Sequence, residues 1–315
     1  MQWRILPSYV DFPSMNPTPA KTADPKKSVA PLPINLRVDP GSGEHDPALY
    51  HTNISARAVQ GGLDAVTPEH LDFYEQEGYL AVEDAFTPEE IADAKQGMLD
   101  LIMGSKPEFE GIQFESKAAA RLGELTLEER QDAVRKLLYF VKYEARLEAL
   151  SSHPKLAGVL ARMLGAPPFL YADQAMIKPP HIGREKPWHQ DMAFFDLPIA
   201  TKIVGVWIAL DEATIENGCM HVRPQGHQQG PIVHFKRRDW QLCDSECVGK
   251  PCVAVPLKPG GLLFFDGMLP HGTPSNHSGK RRKALQFHYH AAGVEKVPAE
   301  LRLAVFGGEG RGVEC

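Results

Sequence analysis

Apolar residues are spaced differently in two parts of the chain. Between Thr67 and Gly165, apolar side chains recur every three or four positions, which is the period of one buried helix face. After Gly165, the apolar positions fall in short runs rich in β-branched and aromatic residues, separated by Pro and Gly. Such runs are typical of strands in an all-β barrel or sandwich. A helical part followed by a strand-rich part predicts an α+β fold with one large β core.

The helical part, about residues 67–165, carries start and stop signals. Thr67 and Thr87 are each followed by Pro and Glu, as expected for a helix N-cap and first turn. Gly78 and Gly165 fall where two helices should end. Helices are predicted within "TPEHLDFYEQEGYL", "VEDAFTPEEIADAKQGMLDLIMG", "LTLEERQDAVRKLLYFVKYEARLEAL" and "HPKLAGVLARMLG".

The strand-rich part extends over about residues 166–292. Its short apolar runs are bounded by turn residues, and each is long enough for one strand. Strands are predicted within "PFLYADQAMIKP", "PWHQDMAFF", "IVGVWIALD", "CMHVRP", "CVAVPL", "GLLFFDG" and "ALQFHYHAA".

Residues 1–60 differ from the rest of the chain in composition. They are rich in Pro, Ser, Thr and Lys and show no sustained helical or strand period. This pattern predicts an extended or disordered arm, or a segment that wraps the domain surface. The remaining residues, 61–315, are expected to form a single domain.

Charge and hydropathy exclude some classes of partner. The formal net charge is −6, so the chain has no basic footprint and nucleic acid is not an expected partner. No apolar run reaches the roughly 18 residues needed to cross a membrane. The N-terminal segment has neither a sustained apolar core nor a cleavage site of the signal-peptide kind. We therefore expect a cytoplasmic location, where thiols stay reduced.

Three of the five cysteines cluster in "CDSECVGKPC". Cys243, Cys247 and Cys252 lie near His234, so zinc is one interpretation of the group. Their spacing fits zinc ribbons and fingers poorly, and reduced thiols in a loop are the favoured alternative.

The segment "PWHQDMAFFD" holds two metal-capable side chains two positions apart, His189 and Asp191. On a strand or at its end, residues i and i+2 point to the same side, so both can face one ion. A second H-x-D pair, His70 and Asp72, lies in a predicted helix. There the two side chains diverge by about 200° around the axis, so we discard that pair.

A third ligand and a cation follow further along the chain. Non-haem Fe(II) oxygenases use two His and one carboxylate, which leaves positions for a cosubstrate and O₂. His271 follows an apolar strand and could complete such a site. Arg282, on the next strand, has the same parity as Ala284, Gln286 and His288. If that face points inward, Arg282 is a buried guanidinium that needs an anion, and a carboxylate held bidentately is the natural one.

These motifs in combination resemble the phytanoyl-CoA dioxygenase family of Fe(II)/2-oxoglutarate oxygenases. The similar segments include the H-x-D pair, "HGTPSNHSGKRRKA", "VWIALDEATIENGCMHVRPQGH" and the helical opening "TPEHLDFYEQEGYLAVEDAFTPEEI". The resemblance covers about residues 65–292. It implies a double-stranded β-helix, or jelly roll, with flanking N-terminal helices, and it makes residues 61–315 one oxygenase domain.

The resemblance also implies roles for individual residues. His189, Asp191 and His271 are the implied iron ligands, and Arg282 is the implied clamp on the distal carboxylate of 2-oxoglutarate. Further implied cosubstrate contacts are Thr273, Trp207 and Gln174, with Lys136 in the helical part as another candidate. Barrel packing is an equal alternative for Trp207. His221 and His288 are expected to be structural, although either could face the substrate.

The implied reaction consumes 2-oxoglutarate and O₂, releases succinate and CO₂, and oxidises a C–H bond of a small-molecule substrate. The carboxylate of Asp191 favours hydroxylation over halogenation, because related halogenases lack it. Desaturation, cyclisation and epimerisation stay open, as does a non-catalytic metal-binding jelly roll, although that would need neither Arg282 nor Thr273. The connection 226–252 carries Lys236, Arg237 and Arg238, which suggests either a lid for an anionic substrate or a solvated loop.

Overall fold

The computed structural model describes residues 37–38, 43–308 and 315. The described α-helices, in chain order, are α1 Pro68–Glu77, α2 Pro88–Ile102, α3 Leu127–Arg130, α4 Ala145–Ser151, α5 Pro154–Leu164 and α6 Ala299–Phe306. Short 3₁₀ turns are Pro47–Tyr50, Leu63–Ala65, Ser116–Arg121, Asp191–Phe194, Gly226–Gln229 and Asp244–Glu246. None of these helices is long and apolar enough to span a membrane.

The described strands are more numerous than the helices. They are β1 Arg37–Val38, β2 Tyr79–Val82, β3 Ile112–Phe114, β4 Val134–Leu138, β5 Pro168–Lys178, β6 Lys186–His189, β7 Val204–Ala209, β8 Met220–Val222, β9 His234–Lys236, β10 Trp240–Leu242, β11 Val253–Val255, β12 Leu262–Asp266, β13 His271–Thr273 and β14 Arg282–Ala291.

Two sheets and a small hairpin make up the β core. The large sheet has eight strands in the order β1-β3-β4-β5-β14-β7-β12-β2, and the small sheet has four in the order β11-β8-β13-β6. The short strands β9 and β10 pair only with each other among the described residues. Buried side chains from both sheets pack together in one cluster, so the sheets face each other as the two layers of a jelly roll.

The central strands are almost wholly apolar because their side chains alternate between two faces of the sheet that are both buried. On β7, Val206 and Ile208 pack toward the helices, whereas Trp207 points between the sheets. On β12, Phe264 and Phe265 divide in the same way. Both faces of the large sheet are therefore buried, one under the helices and one against the small sheet, which removes the usual polar face.

The predicted α+β class and the jelly roll with N-terminal helices are confirmed. The Thr67 and Thr87 caps precede α1 and α2 as predicted, and Gly78 ends α1 in the left-handed conformation with φ 82°. The predicted strands around β5, β7, β8, β11, β12 and β14 are present.

The helix predicted over "LTLEERQDAVRKLLYFVKYEARLEAL" is wrong. This segment forms only short α3 and α4, with strand β4 between them. Residues 134–138 pair with β5 on one side and with β3 on the other. Tyr139 then takes a positive φ of 59°, which ends the strand. Tertiary pairing at the sheet edge overrides the local helical pattern here.

The second part of the predicted arm lies against the domain. Leu49 and Tyr50 are buried, and the indole Nε1 of Trp188 donates to the carbonyl of Leu49 at 3.0 Å. The Tyr50 ring stacks on Trp188, and its hydroxyl donates to Glu185 at 2.7 Å. The arm's residues 1–36 and 39–42 lie outside the described residues. The boundary predicted near residue 60 therefore stays a prediction, but residues 46–50 cover strand β6.

Replacing Tyr50 by Ala should lower the free energy of unfolding by about 3 kcal/mol, because a buried aromatic ring and a buried hydrogen bond are lost together. Ile54→Ala is the matched control, since Ile54 is 57% exposed in the same segment, and it should change stability by less than about 0.5 kcal/mol. Urea unfolding measures both variants. Equal stabilities would mean that this segment is not part of the folded domain.

Candidate metal centre

Two histidines and one aspartate meet at one end of the small sheet. His189 ends β6 and His271 begins β13, and the two residues are direct cross-strand partners with ring centroids 4.3 Å apart. Asp191 opens the 3₁₀ turn that follows β6. Its Oδ1 lies 3.2 Å from His189 Nε2 and 3.6 Å from His271 Nε2. Among the described residues, this is the one group of three or more His, Cys, Asp or Glu side chains that could hold a metal ion.

Backbone carbonyls fix the two imidazoles in one tautomer. His189 Nδ1 donates to the carbonyl of Pro187 at 2.7 Å, and His271 Nδ1 donates to that of Leu269 at 2.9 Å. Both Nε2 lone pairs therefore face Asp191. Burial lowers the pKa of His189 to about 3 and also lowers the pKa of His271. The rings are thus neutral, as metal ligands must be.

The second carboxylate oxygen of Asp191 points away from the two imidazoles and toward strand β14. Its Oδ2 lies 2.6 Å from His288 Nε2 and 3.1 Å from Gln286 Nε2. Burial alone would raise the pKa of Asp191, but the His288 imidazole beside Oδ2 holds that pKa well below its usual range. The carboxylate is therefore ionised and held from both sides.

A cavity of about 140 Å³ opens beside these three residues, between the two sheets. It is lined by Lys136, Gln174, Met176, Lys186, His189, Asp191, Phe194, Phe195, Trp207, Met220, His271, Gly272, Thr273, Arg282 and Gln286. All the residues that the sequence indicated for the metal and the cosubstrate therefore lie around one space.

Arg282 is a buried cation that has no neutralising partner among the described residues. Its side chain is 1% exposed, and one Nη donates to the carbonyl of Met176 at 3.0 Å. Its Nε has no hydrogen-bond partner, and no described carboxylate forms an ion pair with it. The hydroxyl of Thr273, which lines the same cavity, is also buried without a partner. Burial lowers the pKa of Arg282 to about 9. A carboxylate entering the cavity would satisfy both groups, so these residues fit 2-oxoglutarate.

The remaining predicted contacts lie in one row across the large sheet. Gln286 on β14 is the register partner of Gln174 on β5 and of Trp207 on β7. Trp207 also carries the Arg282 guanidinium over its ring at 5.4 Å, so packing and cosubstrate contact are compatible roles. Lys136 lines the cavity too, but it stands on strand β4 opposite Met176 and not in a helix as predicted.

His221 is not among the residues that line the cavity, which favours the expected structural role over substrate contact. Its neighbour Met220 lines the cavity, and strand alternation turns His221 to the outer face of the small sheet. There its ring meets Tyr50 edge to face at 5.4 Å.

The 226–252 connection is more ordered than predicted, because it contains the β9–β10 hairpin. Arg238, between the two strands, binds Glu185 at 2.7 Å and Asp244 at 2.6 Å, so its charge is already used in the fold. His234 accepts a hydrogen bond from the backbone N–H of Gln190 at 3.1 Å, and it supports the H-x-D segment. Neither His234 nor the three nearby cysteines contribute to a group of potential metal ligands among the described residues.

Gln286 and His288 were not predicted to belong to the metal site. Their parity with Arg282 was the available signal, because all three stand on the inward face of β14. The target of their hydrogen bonds is Asp191, which lies 95 and 97 positions earlier in the chain, and no local pattern indicates that contact.

A jelly roll that presents two neutral imidazoles and a carboxylate beside a buried, unneutralised arginine defines a non-haem iron, 2-oxoglutarate-dependent dioxygenase. A sequence model described as "Phytanoyl-CoA dioxygenase (PhyH)" matches residues 74–284, about two thirds of the chain. The chain belongs to the phytanoyl-CoA dioxygenase family.

Relatives and solved structures agree with this assignment. Phytanoyl-CoA dioxygenase domain-containing protein 1 of Danio rerio is 24% identical over 263 residues, covering 72% of this chain and 90% of that protein. Phytanoyl-CoA dioxygenase of Arabidopsis thaliana is 27% identical over 256 residues, with coverages of 72% and 90%. The fold is similar to that of the α-ketoglutarate-dependent carbocyclase SnoK from nogalamycin biosynthesis, with a TM-score of 0.61, 21% identity and coverages of 76% and 89%.

Proposed function

We propose that this dioxygenase hydroxylates a C–H bond of a small organic molecule, with His189, Asp191 and His271 as its iron ligands. The observation that carries the proposal is the unneutralised Arg282 in the same cavity as the three ligands. A metal-binding protein without a cosubstrate would have no need for a buried cation there, because an unpaired buried charge is costly. This argument weighs against a non-catalytic scaffold.

Four residues of the cavity then have defined tasks in binding the cosubstrate. Arg282 and Thr273 bind the distal carboxylate of 2-oxoglutarate, the guanidinium by paired hydrogen bonds and the hydroxyl by one more. Trp207 and Gln174 confine the cosubstrate from the large sheet. When iron and 2-oxoglutarate are bound, they supply the oxidation of the substrate by O₂, with release of succinate and CO₂. The protein residues orient these groups and keep the cavity free of bulk water.

Hydroxylation is one of several oxidations that the substrate carbon could undergo at such a site. Structures of similar fold include a carbocyclase, an epimerase from the same nogalamycin system and EctD with 5-hydroxyectoine bound, so the fold is compatible with several oxidative outcomes. Asp191 favours hydroxylation over halogenation, because its carboxylate stands where a halide would otherwise bind. A relative named methylphosphonate hydroxylase, 29% identical over 156 residues, is consistent with hydroxylation.

Succinate release measured against a panel of metabolites tests the proposed function. The iron-loaded protein with 2-oxoglutarate and O₂ should release succinate faster with one class of compound than without it. Mass spectrometry of the product should then show a gain of one oxygen atom. A product that has lost two hydrogens or changed only its stereochemistry would replace hydroxylation by desaturation or epimerisation.

The substrate is proposed to be anionic, because cationic side chains predominate among the charged residues that line the cavity. Lys186, on the same strand as His189, lines the cavity and reaches Asp239 of the β9–β10 hairpin at 2.7 Å. Lys136 lines the same cavity. Although burial raises it, the pKa of Asp239 is held far below its usual range by Lys186 and Lys136. Among the described residues that line the cavity, three side chains are cationic (Lys136, Lys186 and Arg282) and one is a carboxylate (Asp191), and this excess of positive charge favours an anionic substrate group.

Lys186→Met should raise the KM for an anionic substrate found in the panel by roughly tenfold, because one charge-assisted contact is lost. The KM for 2-oxoglutarate should stay near the wild-type value. Lys236 is an exposed lysine of the β9–β10 hairpin, so Lys236→Met is the control and should change neither KM value. A neutral preferred substrate, or equal effects of the two variants, would contradict the anionic assignment.

The location is also proposed to be cytoplasmic. All five cysteines are free thiols, and four of them are buried, which is compatible with a reducing compartment. Cell fractionation tests this point, and recovery of the protein from an oxidising compartment would contradict it.

A further inference from the structure

The contact between His288 and Asp191 links the metal site to a different sheet. The three proposed iron ligands belong to strands β6 and β13 of the small sheet and to the turn after β6. His288 and Gln286 stand on β14, in the middle of the large sheet, where β5 and β7 pair with it on both sides. His288 is 0% exposed, so its hydrogen bond to Asp191 forms away from water.

The surroundings of His288 define which nitrogen carries its proton. Nε2 is 2.6 Å from Asp191 Oδ2 and 3.2 Å from Gln286 Nε2, which donates to the same carboxylate oxygen. Nδ1 is buried and has no hydrogen-bond partner among the described residues. A proton on Nδ1 would be a buried donor without an acceptor, so the proton belongs on Nε2, where it is donated to the carboxylate. Phe195 meets the ring edge to face at 4.8 Å and limits its rotation.

This arrangement controls how Asp191 can face a metal. A carboxylate can present one oxygen or both to an ion, and each oxygen takes one coordination position. The site must keep positions open for 2-oxoglutarate and O₂. Because Oδ2 already accepts from His288 and Gln286, only Oδ1 faces the two imidazole Nε2 atoms.

We infer that His288 is a positioning residue of the metal centre, which with Gln286 holds Asp191 so that a single oxygen faces the iron. This inference rests on the proposed function, since it takes the three ligands as the iron site. Strand β14, which carries Arg282, thereby also sets the orientation of the Asp191 carboxylate.

The test compares two amide replacements of His288. The side-chain nitrogen of Gln can reach the place of Nε2, whereas that of Asn ends near the place of Nδ1 and cannot reach Asp191. Anaerobic Fe(II) titration should show roughly 10- to 100-fold weaker binding for His288→Asn, while His288→Gln stays within about threefold of wild type. Thermal unfolding of the iron-free proteins should give similar midpoints for the two variants, which separates positioning from folding.

His290→Asn is the matched control. His290 lies two positions further along the same strand, is also buried, and contacts the rings of Phe169 and Tyr171 instead of Asp191. It should keep wild-type iron affinity. Equal iron affinities of His288→Asn and His288→Gln, or the same loss in His290→Asn, would overturn the inference.

Two further variants complete the experiment. If His288→Asn fails to fold, Gln286→Leu removes the other donor to Oδ2 and should also weaken iron binding, and wild-type affinity there would overturn the inference. His189→Ala separates the two hypotheses. Wild-type iron affinity in His189→Ala would mean that the proposed iron site itself is wrong, whatever the His288 variants show.

Discussion

Alanine in place of His189 or His271 should abolish iron binding and all 2-oxoglutarate turnover. Each imidazole is one of the three proposed ligands, and without it the remaining histidine and carboxylate would form an incomplete site. Iron content after anaerobic reconstitution should fall from about one ion per chain to a background value. Metal analysis of the reconstituted, desalted protein measures this directly.

The second H-x-D pair of the chain provides the control for this experiment. His70 lies on α1, and its Nδ1 accepts a hydrogen bond from the backbone N–H of Thr67 at 3.1 Å, so it caps the helix. His70→Ala should cost about 1 kcal/mol of stability and leave the iron content unchanged. Unchanged iron content in both His189→Ala and His271→Ala would refute the metal assignment.

Arg282→Lys should raise the KM for 2-oxoglutarate by roughly 10- to 100-fold, because the lysine keeps the charge but loses the planar pair of donors. The substrate-independent consumption of 2-oxoglutarate, measured over a range of its concentrations, gives this value without knowledge of the substrate. The iron affinity should not change, since Arg282 does not contact the three ligands.

Arg281 is the natural control for Arg282. It is the preceding residue, its side chain is 43% exposed, and it binds Asp132 at the surface. Arg281→Lys should leave the KM for 2-oxoglutarate unaltered. Equal behaviour of the two lysine variants would show that the carboxylate binds elsewhere in the cavity.

Sequence patterns predicted the long elements and missed several of the short ones. Caps at Thr67 and Thr87 and the runs of β-branched and aromatic residues in β7 and β14 are local signals, so the corresponding elements were predicted. Strand β4 has a helical pattern and becomes a strand only because β5 offers it an edge. The strands β9, β10 and β13 have three residues each and were not predicted, whereas the equally short β8 and β11 were. Strands β9 and β10 flank the charged residues 236–239, a composition that is typical of a loop.

The site shows the same division between local and long-range information. The spacing of His189 and Asp191 and the parity of Arg282 on its strand are local, and both features were predicted. The pairing of His189 with His271 depends on the register of two strands far apart in sequence. The approach of His288 to Asp191 depends in addition on how the two sheets pack, which no local pattern records.

The two residues proposed to bind the distal carboxylate of 2-oxoglutarate, Thr273 on β13 and Arg282 on β14, belong to opposite layers of the jelly roll. A 2-oxoglutarate molecule held by both would act as a non-covalent cross-link between the layers. Its binding should therefore raise the resistance of the whole barrel to heat, by an amount that grows with ligand concentration. Loss of the cosubstrate would leave the layers joined by apolar contacts and by the hydrogen bonds of His288 and Gln286 to Asp191, so starvation for 2-oxoglutarate would shorten the lifetime of the folded enzyme as well as stop its reaction.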